Sequence, residues 1–254
     1  MADGSPLLSA RGLVRRFGAF TVLDGVDFEV EDDEAVGIVG PNGAGKTTLL
    51  NLLSGALPPS AGEIRLRGRD LRGLDAAGRC RLGIGRTHQV PRPFGGMTVF
   101  ENVLVAATHG GGVSGRASRE RAVDALGLSG MAPLANRRAG TLGLLDRKRL
   151  ELARALATGP RLLLLDEIGG GLTEAEADAL VAIIDALRAR RIAIVWIEHI
   201  VHLLLRVVTR LVCMDAGRVI AEGAPRAVLA DPAVMAAYLG QDADCGEADC
   251  REAG

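Results

Sequence analysis

Lysine is almost missing from this 254-residue chain: Lys46 and Lys148 are the only two, and arginine otherwise supplies its positive charge. Positive charge is not in excess either. Lys+Arg total 30 against 31 Asp+Glu, a net charge of -1, which excludes the global field that recruits nucleic acid or an anionic membrane. Aromatics make up 3% of the chain, and the four cysteines (Cys80, Cys213, Cys245, Cys250) have neither zinc-site spacing nor a secreted context, so they are read as reduced and incidental. No apolar run approaches the roughly 20 residues that cross a bilayer. The start, Met1-Ala2-Asp3-Gly4-Ser5, lacks the positive region and apolar core of a signal peptide, and the expectation is a cytosolic protein. The length allows one large domain or two small ones.

What is there in abundance is glycine, 34 residues, and one glycine cluster carries chemistry. Gly40-Pro41-Asn42-Gly43-Ala44-Gly45-Lys46-Thr47 follows the apolar run Ala35-Val36-Gly37-Ile38-Val39 and fits the phosphate-binding pattern G-x-x-x-x-G-K-[ST]. Glycines let successive backbone N–H groups curl around a triphosphate, and the helix that follows aims its positive end at the same anion. Lys46 is placed to reach the β and γ phosphates and Thr47 to hold Mg²⁺. One of the two lysines therefore falls where a compact ammonium suits a phosphate better than a guanidinium fork. The competing explanation is an ordinary glycine-rich turn.

The surrounding pattern predicts a fold. Leu7 to Val14 and Thr21 to Val30 look like an N-terminal antiparallel hairpin, followed by a strand at 35 to 39 and a helix from Lys46 to about Ser54, stopped by Gly55. A short strand at Glu63 to Leu66, a short helix at Leu74 to Leu82 and a strand at Gly83 to Thr87 lead into a Pro- and Gly-rich loop opened by Gln89. From about 90 to 158 the β signal disappears and helices are predicted at Thr98 to Ala107, Ala117 to Leu126 and Asp146 to Ala157, with 110 to 115 a flexible glycine connector. Alternation then resumes: strands at 161 to 165, 192 to 197, 211 to 214 and 218 to 222, helices at 173 to 189 and 200 to 207. Strands alternating with helices imply an α/β core with a mostly parallel sheet. Residues 1–240 form one domain in this account, with a helical subdomain inserted, and 241–254 are expected to be a frayed acidic tail.

Leu162-Leu163-Leu164-Leu165-Asp166-Glu167 is an apolar strand ending in two adjacent carboxylates. Buried parallel strands present their C-terminal ends to the ligand edge, and side chains alternate along a strand. One carboxylate, Asp166, can therefore serve a metal while the other, Glu167, orients an attacking water.

With these residues the chain resembles the ATP-binding subunits of ABC transporters from about residue 8 to residue 240. The resemblance implies a P-loop NTPase core with an N-terminal antiparallel β subdomain and an inserted helical subdomain, and ATP and Mg²⁺ as ligands. It implies nucleotide contacts from Gly40 through Thr47 and Thr48, and Phe17, 29 residues before Lys46, stacked on adenine. Gln89 matches the Q-loop glutamine, which senses Mg²⁺ or γ-phosphate and faces the membrane subunits. Asp166 matches the Walker B aspartate, Glu167 the catalytic glutamate, and His199 the switch histidine; His199 with His202 as a metal pair is the competing reading. The Arg86-Thr87-His88-Gln89 wording, Met97 to Val103, Ile197-Glu198-His199 and the ending Asp231 to Gly240 are similar to the branched-chain amino acid transporter ATPases. The implied partners are permease membrane subunits, a second ATPase subunit and a periplasmic or lipoprotein solute-binding protein, with the chain peripheral on the inner face of the membrane.

Two departures stand out. The family signature Leu-Ser-Gly-Gly-Gln aligns with Leu142-Gly143-Leu144-Leu145-Asp146, which loses the serine hydroxyl and both glycines and adds a carboxylate that can cap the helix. The family proline after Walker B is absent; Ile168-Gly169-Gly170-Gly171-Leu172 stands there, and a flexible segment is expected. A tolerated variant, an asymmetric heterodimer with one weak site, and ATP binding without turnover all remain open. So do a soluble ABC factor outside transport and a P-loop kinase of another family.

Overall fold

The structure, a computed structural model, describes residues 5–244. Along the chain, β1 (Leu8–Phe17), β2 (Phe20–Val30) and β3 (Ala35–Val39) lead into α1 (Lys46–Ser54). Then come β4 (Ala61–Leu66), the two-residue β5 (Arg69–Asp70), α2 (Ala76–Arg81) and β6 (Ile84–Arg86). Three helices follow: α3 (Val99–Val105), continued by a π-helical turn over Ala106–Gly110, then α4 (Gly115–Leu128) and α5 (Leu144–Ala157). Alternation returns with β7 (Leu162–Asp166), α6 (Glu174–Ala189), β8 (Ala193–Ile197), the single turn α7 (Val201–Leu204), β9 (Arg210–Asp215) and β10 (Arg218–Gly223). The described chain ends in α8 (Pro225–Leu229) and α9 (Pro232–Asp244).

The strands form two sheets. A four-stranded antiparallel sheet runs β2-β1-β4-β5, and a six-stranded sheet runs β10-β9-β3-β8-β7-β6. In the larger sheet β9, β3, β8, β7 and β6 are parallel, and only β10 turns back antiparallel on β9. Its central strands β3, β8 and β7 are buried on both faces, as the unbroken apolar run of β7 requires. Side-chain alternation divides them between two cores. Leu162 and Leu164 join α1 and the small sheet through Leu49, Leu50, Leu52 and Leu53, whereas Leu163 and Leu165 join α5 and α6. The helices α3 to α5 share this second core, so the helical segment is packed onto the sheet.

Local chemistry explains several boundaries. Gly55 ends α1 in the left-handed region (φ 78°) and returns its N–H to Leu52 O at 3.2 Å. Thr98 and Glu101 close a capping box at the start of α3, with the Thr98 hydroxyl accepting from Glu101 N–H at 3.1 Å and the Glu101 carboxylate from Thr98 N–H at 2.7 Å. The Glu176 carboxylate likewise accepts from Thr173 N–H at 2.8 Å where α6 was expected to begin.

The structure differs from expectation at three places. Gly110 and Gly111 are close-packed, since a Cβ on Gly110 would meet Thr158 Cγ2 at 2.7 Å and one on Gly111 would meet Ala107 O at 2.6 Å, while Gly112 and Gly115 face open space. Close approach, not looseness, is what glycine supplies there. The helix expected over 200 to 207 is one turn, because the chain must bring Thr209 N–H to Ala35 O (2.8 Å) to enter β9. Finally, α9 runs past Gly240 to Asp244; one glycine costs a helix about 1 kcal/mol and does not by itself end it. The rest of the expected tail, with Cys245 and Cys250, lies outside the described residues.

Candidate functional site

The 40–47 loop joins the C-terminal end of β3 to α1. Gly40 (φ 143°), Gly43 (φ 81°) and Gly45 (φ 98°) all hold backbone that favours glycine. Gly40 presses on the Met214 carbonyl of the neighbouring β9, and a Cβ on Gly45 would meet Leu23 Cδ2 at 2.8 Å and Val22 O at 2.9 Å. The N-terminal hairpin is thus packed against the loop. Lys46 is buried, and its Nζ donates to Gly40 O at 2.6 Å and Pro41 O at 2.8 Å. Burial lowers its pKa, against the upward pull of the Glu167 carboxylate. Ala44 is buried against the α1 core, Asn42 lies on the exposed rim, and Thr47 and Thr48 open α1.

Asp166 ends β7 on the face that Leu162 and Leu164 share, which turns it toward α1. Its Oδ1 accepts from Thr47 Oγ1 at 3.5 Å, and its other oxygen meets Arg86 Nη2 at 3.1 Å. The side chains of this ion pair are 9% and 2% exposed. The second arm of Arg86 donates to Asn51 Oδ1 at 2.7 Å and Ser54 Oγ at 2.9 Å, so one guanidinium ties β6, β7 and α1 together. Burial raises the Asp166 pKa, and Arg86 draws it back down. This role of Arg86 is not legible in the sequence. Its partner lies across a strand pair, and nothing local distinguishes it from the other arginines.

Glu167 leaves the strand in a left-handed conformation (φ 49°) and its N–H is held by Ile197 O at 3.0 Å. That turn separates it from Asp166 and points it at β8. His199 Nε2 stands 2.7 Å from Glu167 Oε1, and Gln89 Nε2 donates to Glu167 Oε2. Two residues, one 78 positions before Glu167 and one 32 positions after it, therefore converge on its carboxylate.

Other expected residues stand apart from this cluster. Phe17 ends β1, 44% exposed, with the Arg15 guanidinium 4.4 Å from its ring centroid. In the Leu142–Asp146 stretch Leu142 is buried and Gly143 is the residue before α5. Leu144 is 66% exposed, and Leu145 and Asp146 lie in the first helical turn. Gly143, rather than Asp146, occupies the cap position. No hydrogen bond of the cluster reaches this stretch among the described residues. The Gly169–Gly171 segment is tethered where flexibility was expected: Gly169 N–H donates to the Glu198 carboxylate and Lys148 Nζ donates to Gly170 O at 2.5 Å.

Among the described residues no group of three or more His, Cys, Asp or Glu side chains has metal-holding geometry, which leaves His199 and His202 without a third protein ligand of those types. No helix of the described residues is long and apolar enough to cross a membrane.

Residues 23–169 match the family profile "ABC transporter", and residues 218–244 match the profile "Branched-chain amino acid ATP-binding cassette transporter". The chain is 38% identical to the high-affinity branched-chain amino acid transport ATP-binding protein BraF of Pseudomonas aeruginosa, over 93% of this chain and 98% of BraF. It is 39% identical to the corresponding LivG protein of Escherichia coli, with the same coverage. Among solved structures it is similar to a nucleotide-free ATP-binding cassette from an ABC transporter, with TM-score 0.83, 31% identity, and 92% and 99% of the two chains covered. It is also similar to the ADP conformation of MJ1267, an ATP-binding cassette of an ABC transporter, with TM-score 0.83, 32% identity, and 93% and 99% covered.

Proposed function

We propose, from the premise that this chain belongs to the ATP-binding cassette transporter family and is an ATPase of it, that it powers an importer of branched-chain amino acids. The observation that carries the mechanism is the Gln89–Glu167–His199 convergence at the C-terminal edge of the parallel sheet, where the Lys46 loop also opens. Lys46 exchanges two neutral carbonyl partners for charged phosphate oxygens, which make stronger charge-assisted bonds. Glu167 accepts the proton of the attacking water, and His199 holds that carboxylate in place and faces the γ-phosphate.

Thr47 and Asp166 offer hard oxygen donors within 3.5 Å of each other, a set that fits Mg²⁺, and the carbonyl end of Gln89 is the third donor of this kind. Bound Mg²⁺ supplies neutralisation of the phosphate charge that develops in phosphoryl transfer.

The surface that closes on the γ-phosphate comes from a second ATPase subunit, and permease subunits dock beside Gln89. There a cleft of about 660 Å³ separates the α1 and α2 side (Ser54, Cys80) from the helical side (Ala106, Thr158). This chain's own contribution to the partner site, Leu142–Asp146, offers backbone amides without the serine hydroxyl. That favours a heterodimer with unequal sites. The test is ATP turnover by the purified chain alone and by the chain assembled with two membrane subunits, a second ATPase subunit and a solute-binding protein. Turnover that rises on assembly and rises again with leucine, isoleucine or valine supports the proposal. Full transporter-like turnover by the isolated chain contradicts the heterodimer, and no response to any branched-chain amino acid contradicts the solute.

A further inference from the structure

Glu198 is a carboxylate 2% exposed, one residue before His199, with no part in the nucleotide chemistry described above. Its Oε1 accepts the N–H of Gly169. Gly169 has no room for a side chain: a Cβ there would lie 2.7 Å from Glu198 Oε1 and 2.7 Å from Leu203 Cδ2. From α5, Lys148 Nζ donates to Gly170 O at 2.5 Å. Two ionisable side chains, 50 positions apart in the sequence, therefore grip consecutive residues of one short segment. That segment begins immediately after Glu167, whose left-handed backbone (φ 49°) is of a kind that persists only where its surroundings over-determine it.

We propose that Glu198 and Lys148 are positioning residues for Glu167: by clamping Gly169 and Gly170 they hold the turn that aims the Glu167 carboxylate at His199. This rests on Glu167 acting as the base. The residue types fit the task. A carboxylate is a strong acceptor for a single buried N–H, and an ammonium on a flexible stem reaches one carbonyl without the fork geometry of arginine. Gly169 has the same explanation, since a side chain there would displace the carboxylate. Lys148 lies just over one turn into α5, so a movement of the Leu142–Asp146 surface is passed to the turn beside Glu167.

The test uses the full chain with Lys148→Met, Glu198→Ala and Glu198→Gln, read by amide hydrogen exchange of residues 168–172, ATP affinity and turnover. Lys148→Met and Glu198→Ala each raise exchange of the segment about tenfold and lower turnover about tenfold, while ATP affinity stays within about twofold. Glu198→Gln keeps an acceptor for Gly169 N–H and restores protection. Wild-type exchange in Lys148→Met overturns the clamp, and since Lys148 is only half-buried this variant decides even where Glu198→Ala does not fold. Raised exchange with wild-type turnover overturns the link to Glu167. Failure of Glu167 as base is read separately, as wild-type turnover in Glu167→Gln.

Discussion

His199 Nε2 and Glu167 Oε1 stand 2.7 Å apart at the ends of two adjacent parallel strands. The strand register brings them to the same level. Asp166 on β7 pairs with Ile197 on β8, so the residues just beyond each strand emerge side by side at the ligand edge. A positive φ at Glu167 then turns its carboxylate toward the histidine and away from Asp166. Adjacent acidic residues thus acquire separate surroundings, one facing Thr47 and one facing His199.

Lys46→Ala removes the ammonium that the loop holds at Gly40 O and Pro41 O. Charge-assisted hydrogen bonds contribute about 1.5–3 kcal/mol, so ATP affinity should fall roughly 10- to 100-fold. Equilibrium binding of a fluorescent ATP analogue measures this directly. Unchanged affinity would remove Lys46 from the phosphate cradle.

Arg86→Leu leaves the Asp166 carboxylate buried without its cation. Breaking one side of a buried pair costs about 3–5 kcal/mol, and this pair is nearly inaccessible to water, so solvent screening gives little relief. Urea unfolding should show a loss of that size, and Arg86→Leu combined with Asp166→Asn should recover part of it. A loss below about 1 kcal/mol would place the pair among ordinary surface contacts.

The burial of Glu198 gives stability a pH dependence whose sign follows from the raised pKa. Burial raises its pKa above the ordinary 4.5, more than the Gly169 N–H and the Lys148 charge lower it. As pH rises from about 4.5 the unfolded chain loses this proton first, the native state binds more protons, and stability falls until the folded pKa is passed. Glu198→Gln removes the effect. Its stability relative to the wild type should therefore be greater at pH 7.5 than at pH 4.5, by urea unfolding at both. A relative stability that declines with pH would show that the carboxylate is better accommodated charged than neutral.

The parts of this site that could be read from sequence are those whose geometry is local. Gly40 to Thr47 encodes its own curl, Asp166 and Glu167 end an apolar run, and His199 ends another. The helix starts at Thr98 and Thr173 and the stop at Gly55 belong to the same class, because the partners lie within a turn. Long-range partners were not legible. Arg86 meets Asp166 across 80 positions, and Lys148 meets Gly170 across 22 through the packing of α5 on the sheet. Glu198 looked like a neighbour of the histidine, and only Gly169 shows what it holds. Gly110, Gly111 and Gly169 depart from the expected flexibility for a common reason. Composition distinguishes a missing side chain but does not say whether the space it leaves is empty or filled by another residue.

Glu167→Gln tests the central claim most directly, because it keeps the shape of the side chain and removes its basicity. Measured in parallel with Mg²⁺ present, ATP binding by the variant should match the wild type within about twofold while turnover falls at least about a hundredfold, the contribution expected of a positioned general base. Equal turnover in the variant and the wild type would contradict the assignment of Glu167 as the base.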